Sequence, residues 1–220
     1  MEVLEKEKNK ESNFVLVHYN EIGIKGKNRY KFIDLLIDRI RKSLNIYGDI
    51  IVKKKTGRIV VKYNPEIPWT KIEKSLSTCF GIAYFAKAYR HTVDLPLVKD
   101  KILNLISEKK TQTFRVRTRK CFKNIPVSTK EWDKEIGSYI QAERHLPVDL
   151  KENNLTIYIE VIPNEVYIYF KKLPGPGGLP QGISGHITCL LSGGIDSPVA
   201  SWRIMKRGCE VIFVHFHGAP

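Results

Sequence analysis

Between His186 and Phe216 the chain runs apolar segment, glycine turn, helix, apolar segment, and few folds accommodate that order. His186–Leu191 reads as a strand of the buried type, and Ser192–Ser197 as a turn. Pro198–Arg207 reads as a helix, with Pro at its first position and Gly208 just past its end. Glu210–Phe216 is a second apolar strand. Strand, helix and strand in about thirty residues make one βαβ unit. A lone unit cannot cover both faces of its sheet. The domain that begins here is therefore expected to be incomplete, its remainder lost or supplied by another chain or segment.

The preceding residues have a different texture. Leu173–Gly185 holds five glycines and three prolines in thirteen residues, which reads as a linker or as a loop whose backbone touches a ligand. Upstream, Phe14–Tyr19 alternates as a strand, and Ile33, Leu36, Ile37, Ile40 and Leu44 fall at helical spacing. Strands are expected at Ile50–Lys54 and Arg58–Tyr63, then a linker at Asn64–Pro68. A second group follows: helix Ile72–Cys79, strand Ile82–Tyr89, a helix striped by Val98, Ile102 and Ile106, and strand Thr113–Thr118. Trp132, Ile136, Tyr139 and Ile140 stripe another helix. Leu155–Val161 and Val166–Lys172 read as a hairpin around Pro163-Asn164. The fold class is thus mixed α/β and α+β.

Composition narrows the function. With 42% hydrophobic residues the chain builds ordinary cores. No apolar run approaches a membrane span. Met1–Asn13 is rich in Glu and Lys, lacks the apolar core of a secretory signal, and reads as a solvated tail. Cys79, Cys121, Cys189 and Cys209 form no C-x-x-C pair and have no zinc spacing, which suits reduced thiols in a cytosolic protein. The six histidines show no metal-ligand spacing either. His18 and His215 alternate with apolar neighbours and are expected to be partly buried, and His217 has no assigned role. A net charge of +14 calls for a polyanionic partner.

The chemistry concentrates in Ser192-Gly193-Gly194-Ile195-Asp196-Ser197. Paired glycines let the backbone approach a ligand. Their N–H groups and the helix N-terminus offer a concave, positive end suited to an anion. Ser192 and Ser197 add hydroxyls. Asp196 is odd at an anion site unless it holds a metal ion, and a Mg2+ bridge to phosphate fits it. The Lys of a Walker A loop is missing. An isolated S-G-G is more often a plain turn, but at the carboxyl end of a strand the ligand reading gains.

The positive charge concentrates elsewhere. Residues 109–130 carry eight basic side chains and no acidic one. Arg115 and Arg117 share one strand face, with Arg119 in step, at spacings of about 6.6 Å. Guanidiniums in such a row match phosphates bidentately. Lys120 and Lys123 extend the basic stretch. Phe122 and Trp132 offer rings for unpaired bases, although Trp132 and Phe114 read more simply as core. Lys25, Lys27 and Arg29 form a smaller basic loop, and Lys171-Lys172 a lesser pair.

Taken together, E-I-G-I-K-G-K-N-R (Glu21–Arg29), F-R-V-R-T-R-K (Phe114–Lys120), G-P-G-G-L-P-Q-G (Gly175–Gly182), L-L-S-G-G-I-D-S-P-V-A (Leu190–Ala200) and V-H-F-H (Val214–His217) resemble the tRNA 4-thiouridine synthetase family. S-G-G-x-D-S is similar to the signature of the ATP pyrophosphatases, or PP-loop enzymes. The resemblance implies a ferredoxin-like domain at 14–67, a THUMP RNA-binding domain at 68–173, a linker at 174–185 and a partial PP-loop domain (adenine nucleotide alpha-hydrolase-like) at 186–220, after a tail at 1–13. It implies ATP-dependent adenylation of the uridine C4 oxygen at position eight of tRNA, then displacement of AMP by persulfide sulfur. Thiamine biosynthesis is a second outlet in some members. The resemblance places Leu190, Leu191, His215 and Phe216 around adenosine. Ser192, Gly193, Gly194, Asp196 and Ser197 fall on the phosphates, with Asp196 and Ser197 in the catalytic role. Lys25, Lys27, Arg29, Arg115, Arg117, Arg119, Lys120 and Lys123 fall on RNA, at the acceptor end and its CCA.

Implied cofactors are ATP and Mg2+. Implied partners are tRNA, a chain or segment completing the PP-loop domain and a cysteine desulfurase, with a homodimer compatible and no membrane. The family's sulfur-handling cysteine lies beyond Pro220, so this chain alone is expected not to complete thiolation. Two alternatives stand beside this reading: a non-catalytic RNA-binding module, and a small-molecule PP-loop ligase.

Overall fold

The computed structural model describes residues 13–24, 26–107, 109, 112–216 and 218, with the side chain of Lys27 excluded. The expected tail up to Ser12, Lys25 and His217 thus lie outside the described residues. Asn13, read as the end of that tail, is buried.

In chain order the strands are β1 (Phe14–His18), β2 (Ile50–Lys55), β3 (Arg58–Tyr63), β4 (Tyr84–His91), β5 (Phe114–Lys120), β6 (Leu155–Ile162), β7 (Glu165–Tyr169), β8 (Leu173–Pro174), β9 (His186–Leu190) and β10 (Glu210–Val214). The α-helices are α1 (Arg29–Leu44), α2 (Trp69–Thr78), α3 (Leu95–Ile106), α4 (Thr129–Arg144) and α5 (Asp196–Lys206). Two compact units divide the chain. Among the described residues one comprises 13–16, Lys55–Gly57 and Ala86–Lys172, the other Val17–Lys54, Arg58–Phe85 and those from Leu173 onward.

In the first unit β4, β7, β6 and β5 are neighbours in that order. β6 runs parallel to β5 and antiparallel to β7. One core joins Val98, Ile102 and Ile106 of α3 to Trp132, Ile136 and Ile140 of α4 and to Phe114, Ile157, Ile159 and Ile168 of the strands. Burying each such side chain stabilises by about 1.5–3 kcal/mol before conformational entropy is charged against it. Helix starts are set locally. The Asp94 carboxylate accepts the Leu97 N–H at 3.0 Å, with Pro96 in the first turn. The Ser128 hydroxyl oxygen accepts the Glu131 N–H. Tyr139, expected in the apolar stripe of α4, instead sits half-buried and donates its hydroxyl to Asp100 at 2.8 Å. The β6–β7 turn places Asn164 at φ 65°, a conformation that Asn tolerates better than most residues.

In the second unit β2, β3 and β1 are neighbours in that order, and α1 buries Ile33, Leu36, Ile37, Ile40 and Leu44, as their spacing predicts. β9 and β10 pair in parallel, with Glu210 opposite His186 and Val214 opposite Leu190. The glycine-rich segment, expected to be a linker or a ligand-touching loop, is tied down. Its backbone is bonded inside the unit: Gly177 N–H to the Ile82 carbonyl, Leu179 N–H to that of Lys206, and Gly182 N–H to that of Gly208. A Cβ on Gly178, which has φ +75°, would strike the Lys206 carbonyl oxygen, and one on Gly175 would strike that of Ile82. Arg39 of α1 donates to the Gln181 carbonyl at 2.9 Å and pairs with Glu210 at 3.2 Å.

Candidate functional site

The S-G-G-I-D-S loop leaves the carboxyl end of β9 and enters α5. Leu191 N–H donates to the Val214 carbonyl, so the parallel pairing runs to the loop's edge. The helix begins at Asp196 rather than Pro198. Proline still falls in the first turn, where its missing N–H costs nothing. The loop is tied by its serines. Ser197 Oγ accepts the Ser192 N–H at 3.0 Å, the two hydroxyls meet at 3.0 Å, and Ser192 Oγ accepts the Gly194 N–H at 3.3 Å. One hydroxyl hydrogen serves that contact, which leaves the other for a ligand.

The glycines of this loop differ in kind from those of the preceding segment. Gly193 and Gly194 have no positive φ. A Cβ on Gly193 would meet nothing within 4 Å, and one on Gly194 only Ser192 Oγ at 3.6 Å. The protein's own packing therefore demands no glycine there. Space left open beside a helix N-terminus suits a polyphosphate. Around the loop, Leu190, Ile195 and Phe216 are exposed and Leu191 is half-buried. His215, expected to be partly buried, is exposed, and its Nδ1 lies 2.7 Å from the Leu191 carbonyl.

β9 forms where expected but is not buried: His186, Ile187, Thr188 and Leu190 are exposed and Cys189 half-buried. Cys79, Cys121 and Cys209 are half-buried as well. Burial pushes the Cys79 thiol up to about 12, against the pull of Arg39, which makes it inert as a nucleophile at neutral pH. Among the described residues no cluster of three or more His, Cys, Asp or Glu side chains is arranged to hold a metal. No described helix is long and apolar enough to cross a membrane.

The arginine row lies on β5, the outer strand of its sheet. Phe114, Val116 and Thr118 point into the core, Arg115 and Arg117 are half-exposed, and Arg119 is exposed. The row is less isolated than its sequence suggests. Arg115 donates to the Leu150 carbonyl at 2.9 Å. Asp133 accepts the Thr118 N–H at 2.6 Å, and the positive charges of Arg117 and Arg115 act on its carboxylate. Lys120 is exposed but differs from the arginines in its surroundings. It alternates onto the other face, and its ammonium donates to the carbonyls of Ile125 and Val127, closing a loop whose two apolar side chains reach the core. Lys123 and Phe122 are exposed on that loop, whereas Trp132 and Phe114 are core. Arg29 is exposed at the start of α1. The structure adds Tyr158, which register places beside Arg117. Only strand pairing reveals it, so linear spacing held no signal for it.

Three family models match in chain order: "ThiI ferredoxin-like domain" over residues 14–86, "THUMP domain" over 90–171, and "Thiamine biosynthesis protein (ThiI)" over 182–220. The chain belongs to the ThiI family. Among ThiI-type relatives, a "Probable tRNA sulfurtransferase" of Brevibacillus brevis is 35% identical over 209 residues, covering 94% of this chain and 52% of the relative. One from Halothermothrix orenii is 36% identical over 215 residues, covering 94% and 54%. This ThiI-family chain thus spans about half the length of the curated relatives it matches. A crystal structure of a 4-thiouridine synthetase–RNA complex with bound ATP superposes with TM-score 0.77 at 31% identity, over 94% of this chain and 53% of that one. A Pyrococcus horikoshii protein of known structure gives TM-score 0.77 at 29% identity, over 92% and 69%. The ferredoxin-like, THUMP and partial PP-loop composition read from the sequence is the observed one.

Proposed function

We propose that this chain is the tRNA-docking and ATP-loop portion of a tRNA sulfurtransferase that makes 4-thiouridine at position eight. The observation that carries the reading is the fold shared with a synthetase whose crystal holds RNA and ATP together. The open S-G-G-I-D-S loop supplies the matching local chemistry.

In this reading Ser192, Gly193, Gly194 and Ser197 hold the ATP phosphates through N–H and hydroxyl donors. Leu190, Leu191, His215 and Phe216 border the adenosine. Asp196 would hold a phosphate-bound Mg2+, which takes one or two carboxylates from a protein. ATP, when bound, provides the AMP that activates the uridine C4 oxygen. The loop's donors favour charge building on the departing pyrophosphate. The outer sulfur of a persulfide, supplied by a cysteine desulfurase on a cysteine that is none of the four here, then displaces AMP at C4, and a second thiol breaks the remaining S–S bond by forming a disulfide with the carrier cysteine. The enzyme works in the cytoplasm, and the isolated chain does not thiolate. Arg115, Arg117 and Arg119, with Lys123 and the Lys25–Arg29 loop, dock the acceptor end of tRNA. A homodimer fits this arrangement, as does a segment completing the PP-loop domain.

Titrating the chain against tRNA with and without its 3′ CCA, at two salt concentrations, tests the docking. Affinity should fall with salt and on removal of CCA. Arg115→Ala and Arg117→Ala should each flatten the salt slope by about one unit per lost phosphate contact. Equal, feeble binding to both tRNAs would favour a small-molecule PP-loop ligase. In the completed enzyme, Asp196→Ala should abolish ATP turnover while tRNA binding survives. Surviving turnover would remove Asp196 from the mechanism.

A further inference from the structure

On the face of the first unit's sheet opposite its core, the β5–β6 register sets Arg115 beside Thr156, Arg117 beside Tyr158 and Arg119 beside Glu160. Tyr158 in turn lies opposite Tyr169 of β7, and the rings stack at 5.0 Å and 13°. Burial is graded across this face. Tyr167 and Tyr169 on β7 are covered, Tyr158 on β6 is half-buried, and the row on β5 reaches solvent at Arg119. The result is a shelf with guanidiniums along its outer edge and one aromatic ring a strand further in, about 4.8 Å away. The ammonium of Lys172 stands over the Tyr158 ring at 4.2 Å. Tyr169 fixes the ring's tilt, and its hydroxyl donates to the buried Glu160 at 2.7 Å, so the stack is braced from behind.

We infer that Tyr158 is a stacking residue for an unpaired RNA base, with the arginine row holding the phosphates beside it. The inference rests on the RNA-docking reading and deepens it. Bases stack on aromatic rings whatever their sequence, and a braced ring loses little freedom when a base arrives. Lys172 is compatible with that role. Its long stem lets the ammonium swing from the ring to a phosphate, exchanging one favourable contact for another. Phe122 is exposed on the 121–127 loop, outside this stack. An RNA duplex presents no free base, so the ring discriminates in favour of single strands.

The test uses this chain with a short single-stranded RNA carrying 2-aminopurine at one position, and a fully paired RNA duplex for comparison. Tyr158→Ala and Tyr158→Leu should bind the single strand about tenfold more weakly and lose the change in 2-aminopurine fluorescence. Duplex affinity and the salt slope should be unchanged, because no phosphate contact is lost. Tyr158→Phe should behave as wild type. Leu keeps apolar contact with Tyr169, so it separates stacking from folding, with circular dichroism confirming the fold. Wild-type single-strand affinity in Tyr158→Leu overturns the stacking role alone. No salt-dependent binding of either RNA by the wild-type chain overturns the docking reading, and this inference with it.

Discussion

Asp133 occupies the margin of an outer strand, where a backbone N–H would otherwise have no ladder partner. It accepts the Thr118 N–H there. Burial raises its pKa above the ordinary 3.8, against the lowering effects of Thr118 and of Arg117 and Arg115. The folded state therefore holds the proton more tightly than the unfolded state. Its contribution to stability is fully present below the unfolded pKa and is lost as pH rises through the folded one. Asp133→Asn keeps an oxygen for Thr118 and removes the titration. The variant should match or exceed wild-type stability at neutral pH, with its advantage shrinking as pH falls into the carboxylate range. Urea unfolding midpoints from pH 3 to 7 measure this. An advantage that grows toward low pH would contradict the assigned direction.

At the scale of elements, the glycines of 173–185 decide how the βαβ unit is attached. Gly178→Ala places a methyl against the Lys206 carbonyl at a φ that suits glycine. A loss of more than about 1 kcal/mol is expected. The melting temperature should fall by at least about 2–4 °C, with faster proteolysis near the segment. A neutral Gly178→Ala would mean that this backbone bonding contributes little. Helices with clear stripes were legible because 3.6-residue spacing survives any tertiary context, as Ile33–Leu44 and Val98–Ile106 illustrate. Other features were not. A run such as Ile187–Leu191 looks alike whether its faces are covered or bare, so β9 read as buried and is exposed. Glycines that leave open space and glycines that admit a neighbouring carbonyl have the same letter, so letters alone could not separate 193–194 from 173–185, which read as a linker or a ligand-touching loop. Lys120 counted toward the basic stretch, since charge composition carries no information about which carbonyls an ammonium reaches.

For the molecule as a whole, the largest imbalance is apolar rather than electrostatic. Ile187, Leu190, Val199, Trp202, Ile212, Phe213 and Phe216 are all exposed on β9, α5, β10 and the residue pair that follows. Soluble proteins rarely leave so many large apolar side chains together in water. This chain spans about half of its curated relatives, and the proposed segment completing the PP-loop domain would cover these side chains. The isolated chain should bind a hydrophobic dye strongly, and the later half of a full-length relative, added separately, should displace the dye and form a complex. Ile212→Asp combined with Phe213→Asp should weaken that complex by a hundredfold or more, since burying each side chain stabilises by about 1.5–3 kcal/mol and an uncompensated carboxylate costs more. RNA binding through the proposed Arg115–Arg119 row, which lies in the other unit, should survive the double substitution. Retained assembly in that variant, or no dye binding by the wild-type chain, would show that these side chains need no cover. Lost assembly together with lost RNA binding would mean that the two units do not fold independently of each other.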